Sequence, residues 1–165
     1  MLQKKICLLG ASAVGKTSLV RRFVESIYSD GYQTTVGVKI EKKVLNAGGE
    51  DVMLLLWDLY GEDDFQKLRL SYLRGAAGFL VVCDGTRKDT LEKALAVHRS
   101  AEQEFGKIPA MIAINKSDLA SEWEISQQTE NSLSQDGWSL MRTSAKTGAG
   151  VEEAFQGLAR LTLAK

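Results

Sequence analysis

The sequence predicts an α/β fold, with amphipathic helices packed on a largely parallel sheet. Three observations point to it: short β-rich apolar runs recur along the chain, helical stripes separate most of them, and a glycine-rich turn joins the first run to the first helix. Lys5 to Leu9 reads as a first strand buried on both faces. A helix follows from Gly15 to about Ser26, with Leu19 and Phe23 one turn apart. Val38 to Leu45 and Val52 to Asp58 read as two strands. Asn46-Ala47-Gly48-Gly49 between them is a turn signal, so they pair as an antiparallel hairpin.

Phe79 to Cys83 and Ala110 to Ile114 are further buried strands, the second preceded by Pro109, where a missing N–H does least harm. Leu91, Ala94, Leu95, Ala101 and Phe105 mark one face of a helix between them. His98 lies near that face and reads as a filler with no assigned role. Ser121-Glu122-Trp123-Glu124 reads as a capping box opening a later helix. Val151, Ala154, Phe155 and Leu158 form the core stripe of the last helix.

The chain has 165 residues, which fits one domain spanning 1–165 and still buries a real core. Lys plus Arg and Asp plus Glu number 21 each, so no global field draws the protein to nucleic acid or anionic lipid. Cys7 and Cys83 sit inside apolar runs and read as buried free thiols of a cytoplasmic protein. The Met-Leu start is not a myristoylation site, the first apolar run is too short for a signal peptide, and LTLAK at the end holds no prenylation cysteine. A monomer without a lipid anchor is expected.

Gly10 to Thr17 reads GASAVGKT and fits G-x-x-x-x-G-K-[ST] between a strand and a helix, the context that gives such a motif its meaning. A chance match somewhere in the chain is on the order of 1%, which favours nucleoside phosphate binding over an accidental turn. A phosphate chain must approach backbone closely. Gly10 and Gly15 permit the bend, and the N–H groups from Ala13 to Thr17 (through Val14, Gly15 and Lys16) form an anion nest. The helix start, with Ser12 before it and Ser18 within it, adds its positive dipole end. Lys16 neutralises the outer phosphates, and the Thr17 hydroxyl is a hard ligand for Mg²⁺.

Asn115-Lys116-Ser117-Asp118 follows a buried strand, where parallel sheets bind ligands. A carboxylate at Asp118 only accepts hydrogen bonds, and guanine offers two adjacent donors where adenine does not. The Lys116 stem can lie flat against a base, and Asn115 can tie this loop to the phosphate loop. Thr143-Ser144-Ala145-Lys146 follows another strand, and its N–H groups can meet the guanine oxygen. In Tyr32-Gln33-Thr34-Thr35-Val36-Gly37, a threonine can complete the Mg²⁺ shell when a third phosphate is present. In Trp57-Asp58-Leu59-Tyr60-Gly61, Asp58 can hold Mg²⁺ through water and the Gly61 N–H can meet that phosphate.

On GASAVGKT, TTVG, WDLYG, NKSD and TSAK, in this order and spacing, the chain resembles a small GTPase of the Ras superfamily, closest to the Rab branch, over essentially its whole length. The resemblance implies a P-loop NTPase fold: a six-stranded, mostly parallel sheet with one antiparallel strand and helices on both faces. It implies a single G domain that binds GTP or GDP with Mg²⁺ and hydrolyses GTP as a molecular switch, turned by an exchange factor and an activating protein and read by effectors. Thr17 and Thr35 are then Mg²⁺ ligands, Asp58 stands behind a water, Tyr28 packs on the base edge and Tyr32 covers the phosphates. Ile40, Trp57 and Tyr72 match a hydrophobic trio that reports the switch state, or else pack the core or sheet edge.

Two features depart from the family. Asp58-Leu59-Tyr60-Gly61-Glu62-Asp63 stands where the family reads D-T-A-G-Q-E. The glutamine orients the attacking water, whereas an ionised Glu62 cannot donate and brings negative charge towards phosphate. With Lys16, Thr35 and Gly61 as the other catalytic groups, slow hydrolysis is expected, since losing one positioned donor costs about 2.7–4 kcal/mol. Glu62 acting as a general base is the weaker reading, and a catalytically weak guanine-nucleotide module that recruits partners is the alternative function. The second departure is the missing cysteine-ended tail. Either the protein works unlipidated, as a prokaryotic member would, or a tail lies beyond this sequence.

Overall fold

The computed structural model describes residues 1–25, 38–59 and 70–164. Within them six strands form one sheet: β1 (Leu2–Leu9), β2 (Val38–Ala47), β3 (Glu50–Leu59), β4 (Gly78–Asp84), β5 (Ala110–Asn115) and β6 (Ser139–Arg142). Their spatial order is β2-β3-β1-β4-β5-β6, with only the β2–β3 pair antiparallel. Four α-helices flank the sheet: α1 (Lys16–Glu25), α2 (Asp89–Phe105), α3 (Gln127–Gln135) and α4 (Val151–Leu163). None of the helices among the described residues is long and apolar enough to cross a membrane.

The two faces of the sheet follow from strand alternation. Ile6 and Leu8 of β1 point into one core with α1 and α4, while Cys7 and Leu9 point into the other with α2. In the first core Phe23 of α1 stacks on Phe155 of α4 with ring centres 4.1 Å apart. The Cys7 and Cys83 thiols are free and buried, and burial pushes both up to about 12. They stay protonated and act as small apolar fillers.

The β2–β3 hairpin is longer than the sequence pattern indicates. Pairing runs on to Ala47 opposite Glu50, and only Gly48 and Gly49 form the turn, at φ 60° and 85°. Two successive positive φ values match the twist of a two-residue hairpin, a conformation glycine adopts without penalty. The capping box is displaced. Ser121 lies in a 3-10 turn (Ala120–Glu122), and α3 is capped by Ser126, whose Oγ accepts from the Thr129 N–H at 3.0 Å. The cause is Trp123. Its ring packs on Gly85, and the Glu124 N–H donates to the Gly85 carbonyl at 2.8 Å, so the chain is held extended until after that anchor.

His98 is buried on α2, edge-on to Trp138 with ring centres 4.7 Å apart. Burial, helped by Arg99, lowers its pKa from the ordinary 6.5 against the opposing pull of Glu102. Between 6.5 and the lowered value the unfolded chain binds the proton and the folded one does not. The contribution of this imidazole is therefore complete above pH 6.5 and is lost as pH falls through that window. It is the only histidine in the chain. Thermal melts from pH 7.5 down to 5 are expected to show a steeper loss of stability in the wild type than in His98→Phe; parallel curves would contradict this assignment.

Candidate nucleotide site

Because β1, β3, β4, β5 and β6 are parallel, their carboxyl ends open on one edge of the sheet. That edge collects Gly10 after β1, Asp58 of β3, Asp84 and Asn115 at the ends of β4 and β5, and Thr143 after β6. Such edges are where open α/β sheets bind ligands.

The loop from Gly10 to Gly15 is unusual backbone. Gly10, Ala13 and Gly15 have φ of 156°, 63° and 99°. Ala13 is one of two non-glycine residues among those described with positive φ, the other being Lys116 in the NKSD loop. A left-handed alanine costs roughly 1–2 kcal/mol, so surrounding contacts must hold it. Val14 contributes backbone only, since its side chain is fully buried in the α1–α4 core. Lys16 is buried, and its Nζ donates to the Gly10 carbonyl at 2.8 Å, bending the ammonium back over the loop. Ser12 is exposed at the rim.

Thr17 and Asp58 meet across α1 and β3, the Thr17 hydroxyl donating to Asp58 Oδ2 at 2.5 Å. Asp58 is buried, and its other oxygen, Oδ1, makes no hydrogen bond among the described residues. Burial raises the pKa of this carboxyl, against the Thr17 hydrogen bond and the charges of Lys16 and Lys39. A buried carboxylate oxygen without a partner is costly, and a hydrated hard cation relieves that cost. A hydroxyl and one carboxylate suit Mg²⁺, which keeps most of its waters and needs no cage of acidic residues.

The base-side loops are tied to the phosphate loop by Asn115. Its Nδ2 donates to the Val14 carbonyl at 2.9 Å, while its Oδ1 accepts from Thr143 Oγ1 at 3.1 Å and from the Ala145 N–H at 3.3 Å. The Ala145 N–H, expected from the sequence to face a base, is thus bonded to Asn115. Ser144 Oγ donates to Asp118 Oδ1 at 2.7 Å and accepts from the Thr147 N–H at 3.1 Å, which aims the Asp118 carboxylate. Gly15, Ser18, Asn115, Lys116, Asp118, Leu119, Ala145 and Lys146 line a cavity of about 180 Å³. This is below the ~300–1,000 Å³ of whole-ligand pockets and suits one end of a nucleotide. A larger cavity of about 720 Å³, between His98 and Trp138, lies at the amino end of β5 and contains none of these residues.

Three site-edge residues escaped the sequence reading: Asp84, Arg87 and Arg22. Asp84, 1% exposed, accepts from the Thr86 N–H and Oγ1 through one oxygen, and from Arg87 Nε and Lys116 Nζ through the other, at 3.1 and 3.0 Å. Burial works to raise its pKa, but the hydrogen bonds from Thr86, Lys116 and Arg87 outweigh it and hold the carboxyl below its ordinary range. Arg22 of α1 donates from Nε to the Ala145 carbonyl at 2.8 Å and from its terminal nitrogen to the Lys146 carbonyl. The one available signal was for Asp84: a charged residue closing a wholly buried strand.

Tyr28, Tyr32, Thr35, Gly61 and Glu62 lie outside the described residues. Of the hydrophobic trio, Ile40 and Tyr72 are 47% and 41% exposed, and Trp57, paired with Ile40 across the hairpin, lies under Lys5 Nζ at 3.6 Å. Ile40 and Tyr72 therefore face solvent rather than the core.

The Ras family model matches residues 5–164. The chain is 32% identical over 163 residues to human Ras-related protein Rab-8B, covering 98% of this chain and 79% of that protein. A family match along nearly the whole chain and a relative 32% identical over 98% of it lead to one conclusion: the chain belongs to the Ras family, as a Rab-like small GTP-binding protein that works as a GTPase switch.

Proposed function

We propose that residues 1–165 form a single G domain whose nucleotide lies along the carboxyl edge of the sheet. Its phosphates rest on Ser12 to Ser18, and its guanine lies between Lys116, Asp118 and the Ser144–Lys146 loop. The observation that carries this reading is Asn115, whose three hydrogen bonds join the phosphate loop to both base-side loops. Thr17, Thr35 and, through water, Asp58 are the residues to hold Mg²⁺, with Asp58 Oδ1, which has no hydrogen-bond partner among the described residues, as the supporting observation. When bound, the ion neutralises charge that develops on the outer phosphates. Lys16 supplies the protein's own positive charge there, and Tyr28 and Tyr32 flank base and phosphates. Exchange factor, activating protein and effectors engage the segments around Thr35 and Gly61 and the exposed Ile40 and Tyr72.

Glu62 is the residue that sets the rate. An ionised carboxylate accepts but does not donate, so the attacking water and the reacting phosphate lose a donor and meet negative charge. Hydrolysis is therefore slow until an activating protein adds a cation in trans. Single-turnover phosphate release is expected to rise several-fold in Glu62→Gln. An unchanged or lower rate would sink the handicap reading. Titration with GDP, GTP and ATP tests the site itself: tight ATP binding would overturn the guanine assignment.

A further inference from the structure

Arg87, on the turn between β4 and α2, reaches the outer surface of the phosphate loop. Its Nε pairs with Asp84 Oδ2 at 3.1 Å, and its terminal nitrogen lies 3.4 and 3.2 Å from the carbonyl oxygens of Ser12 and Ala13. Lys116 Nζ donates to the same Ala13 carbonyl at 3.2 Å and to the same Asp84 oxygen at 3.0 Å. Two cations thus grip the one peptide that follows the left-handed Ala13.

The geometry points to Arg87 as a positioning residue that pre-forms the phosphate cradle from behind. In a trans peptide the C=O and the next N–H point in opposite directions. Drawing the Ser12 and Ala13 carbonyls outward turns the Ala13 and Val14 N–H groups inward, the orientation an anion nest needs. A cation on those carbonyls also polarises the two amides and makes their N–H groups stronger donors. Asp84 serves as the buried anchor for both cations, so the phosphate loop and the base loop share one support. A planar guanidinium presents a fixed fork of donors, so it faces the carboxylate with Nε while its terminal nitrogen reaches the two carbonyls; a lysine ammonium, a single flexible point, holds that geometry less well.

This role rests on the proposed placement of the phosphates, and the test separates the two. Release of a fluorescent GDP and its displacement by unlabelled GDP and GMP are measured for wild type, Arg87→Ala and Arg87→Lys, alongside their melting temperatures. GMP lacks the second phosphate that the Ala13–Val14 nest serves. Arg87→Ala is expected to release GDP about tenfold faster, as befits loss of charge-assisted hydrogen bonds, and to weaken GMP less than twofold. Arg87→Lys should fall between it and wild type. A wild-type release rate in Arg87→Ala, equal weakening of GDP and GMP, or a Lys variant identical to wild type would each overturn the inference. Arg87 is 43% exposed, so its truncation leaves no core cavity; if the alanine variant melts early, the lysine variant carries the same comparison. A wild type that binds GMP as tightly as GDP would instead defeat the phosphate-loop placement itself.

Discussion

Asp118→Ala is expected to weaken GDP binding by roughly 10²–10⁴-fold while leaving the fold intact. Two hydrogen bonds from a guanine to an ionised carboxylate contribute about 1.5–3 kcal/mol each, or roughly 3–6 kcal/mol together. Asp118 is exposed, and its one hydrogen bond among the described residues comes from Ser144 Oγ, so truncation leaves no buried charge behind. The decisive comparison uses inosine diphosphate, which keeps the ring N–H of guanine but lacks the 2-amino group. Wild type should prefer GDP over IDP by about 10–100-fold, one such bond. In Asp118→Ala the preference should collapse to near unity. A GDP preference that survives the substitution would mean that another group reads the amino donor. The Ser144→Ala variant tests the orientation of the carboxylate. It should lose a smaller factor, because the carboxylate remains but is no longer held by its 2.7 Å donor.

What could be read before the structure, and what could not, follows from how local each feature is. GASAVGKT, NKSD and TSAK work through consecutive backbone and short side chains, so their order along the chain carries their chemistry. The helix faces were legible for the same reason: Leu91 and Ala94, or Val151, Ala154, Phe155 and Leu158, sit at helical spacing and are buried as expected. Arg22 and Arg87 were not legible, because they act across 123 and 75 positions of sequence on carbonyl oxygens, which leave no mark on residue type. Val14 was read for its backbone N–H alone; that its side chain packs into the core and its carbonyl accepts from Asn115 came only from the structure. The cap of α3 was misplaced by five residues because Trp123 docks on Gly85, a tertiary anchor that outranks a local capping pattern. In each case the missed feature is a long-range contact made by a residue whose type has several ordinary uses.

The two glycines of the phosphate loop should respond to one substitution in opposite ways, and the difference isolates what each does. At Gly10 an added Cβ would lie 2.4 Å from the Val82 carbonyl oxygen and 3.3 Å from Val14 Cγ2, at φ 156°. Val82 is backbone in the central strand β4 and cannot yield without breaking the ladder. Gly10→Ala should therefore cost roughly 2–5 kcal/mol of stability, combining overpacking with an unfavourable φ. At Gly15 the added Cβ would lie 2.3 Å from Asn115 Nδ2, at φ 99°. Here the obstacle is a side chain that can swing away, so part of the clash is relieved by moving Asn115. That movement breaks the bond to Val14 and loosens those to Thr143 and Ala145, uncoupling the phosphate loop from the base-side loops. Gly15→Ala should remain folded, with a backbone penalty of about 1–2 kcal/mol, and lose nucleotide affinity by roughly 100-fold or more as two or three hydrogen bonds go. Asn115→Ala should reproduce most of that affinity loss without the backbone penalty. Melting temperatures read the first effect and GDP affinities the second. If Gly15→Ala bound GDP as tightly as wild type, Asn115 would be a structural tie with no bearing on the nucleotide. If Gly10→Ala melted like wild type, the close approach of the loop to β4 would not be the reason a glycine stands there.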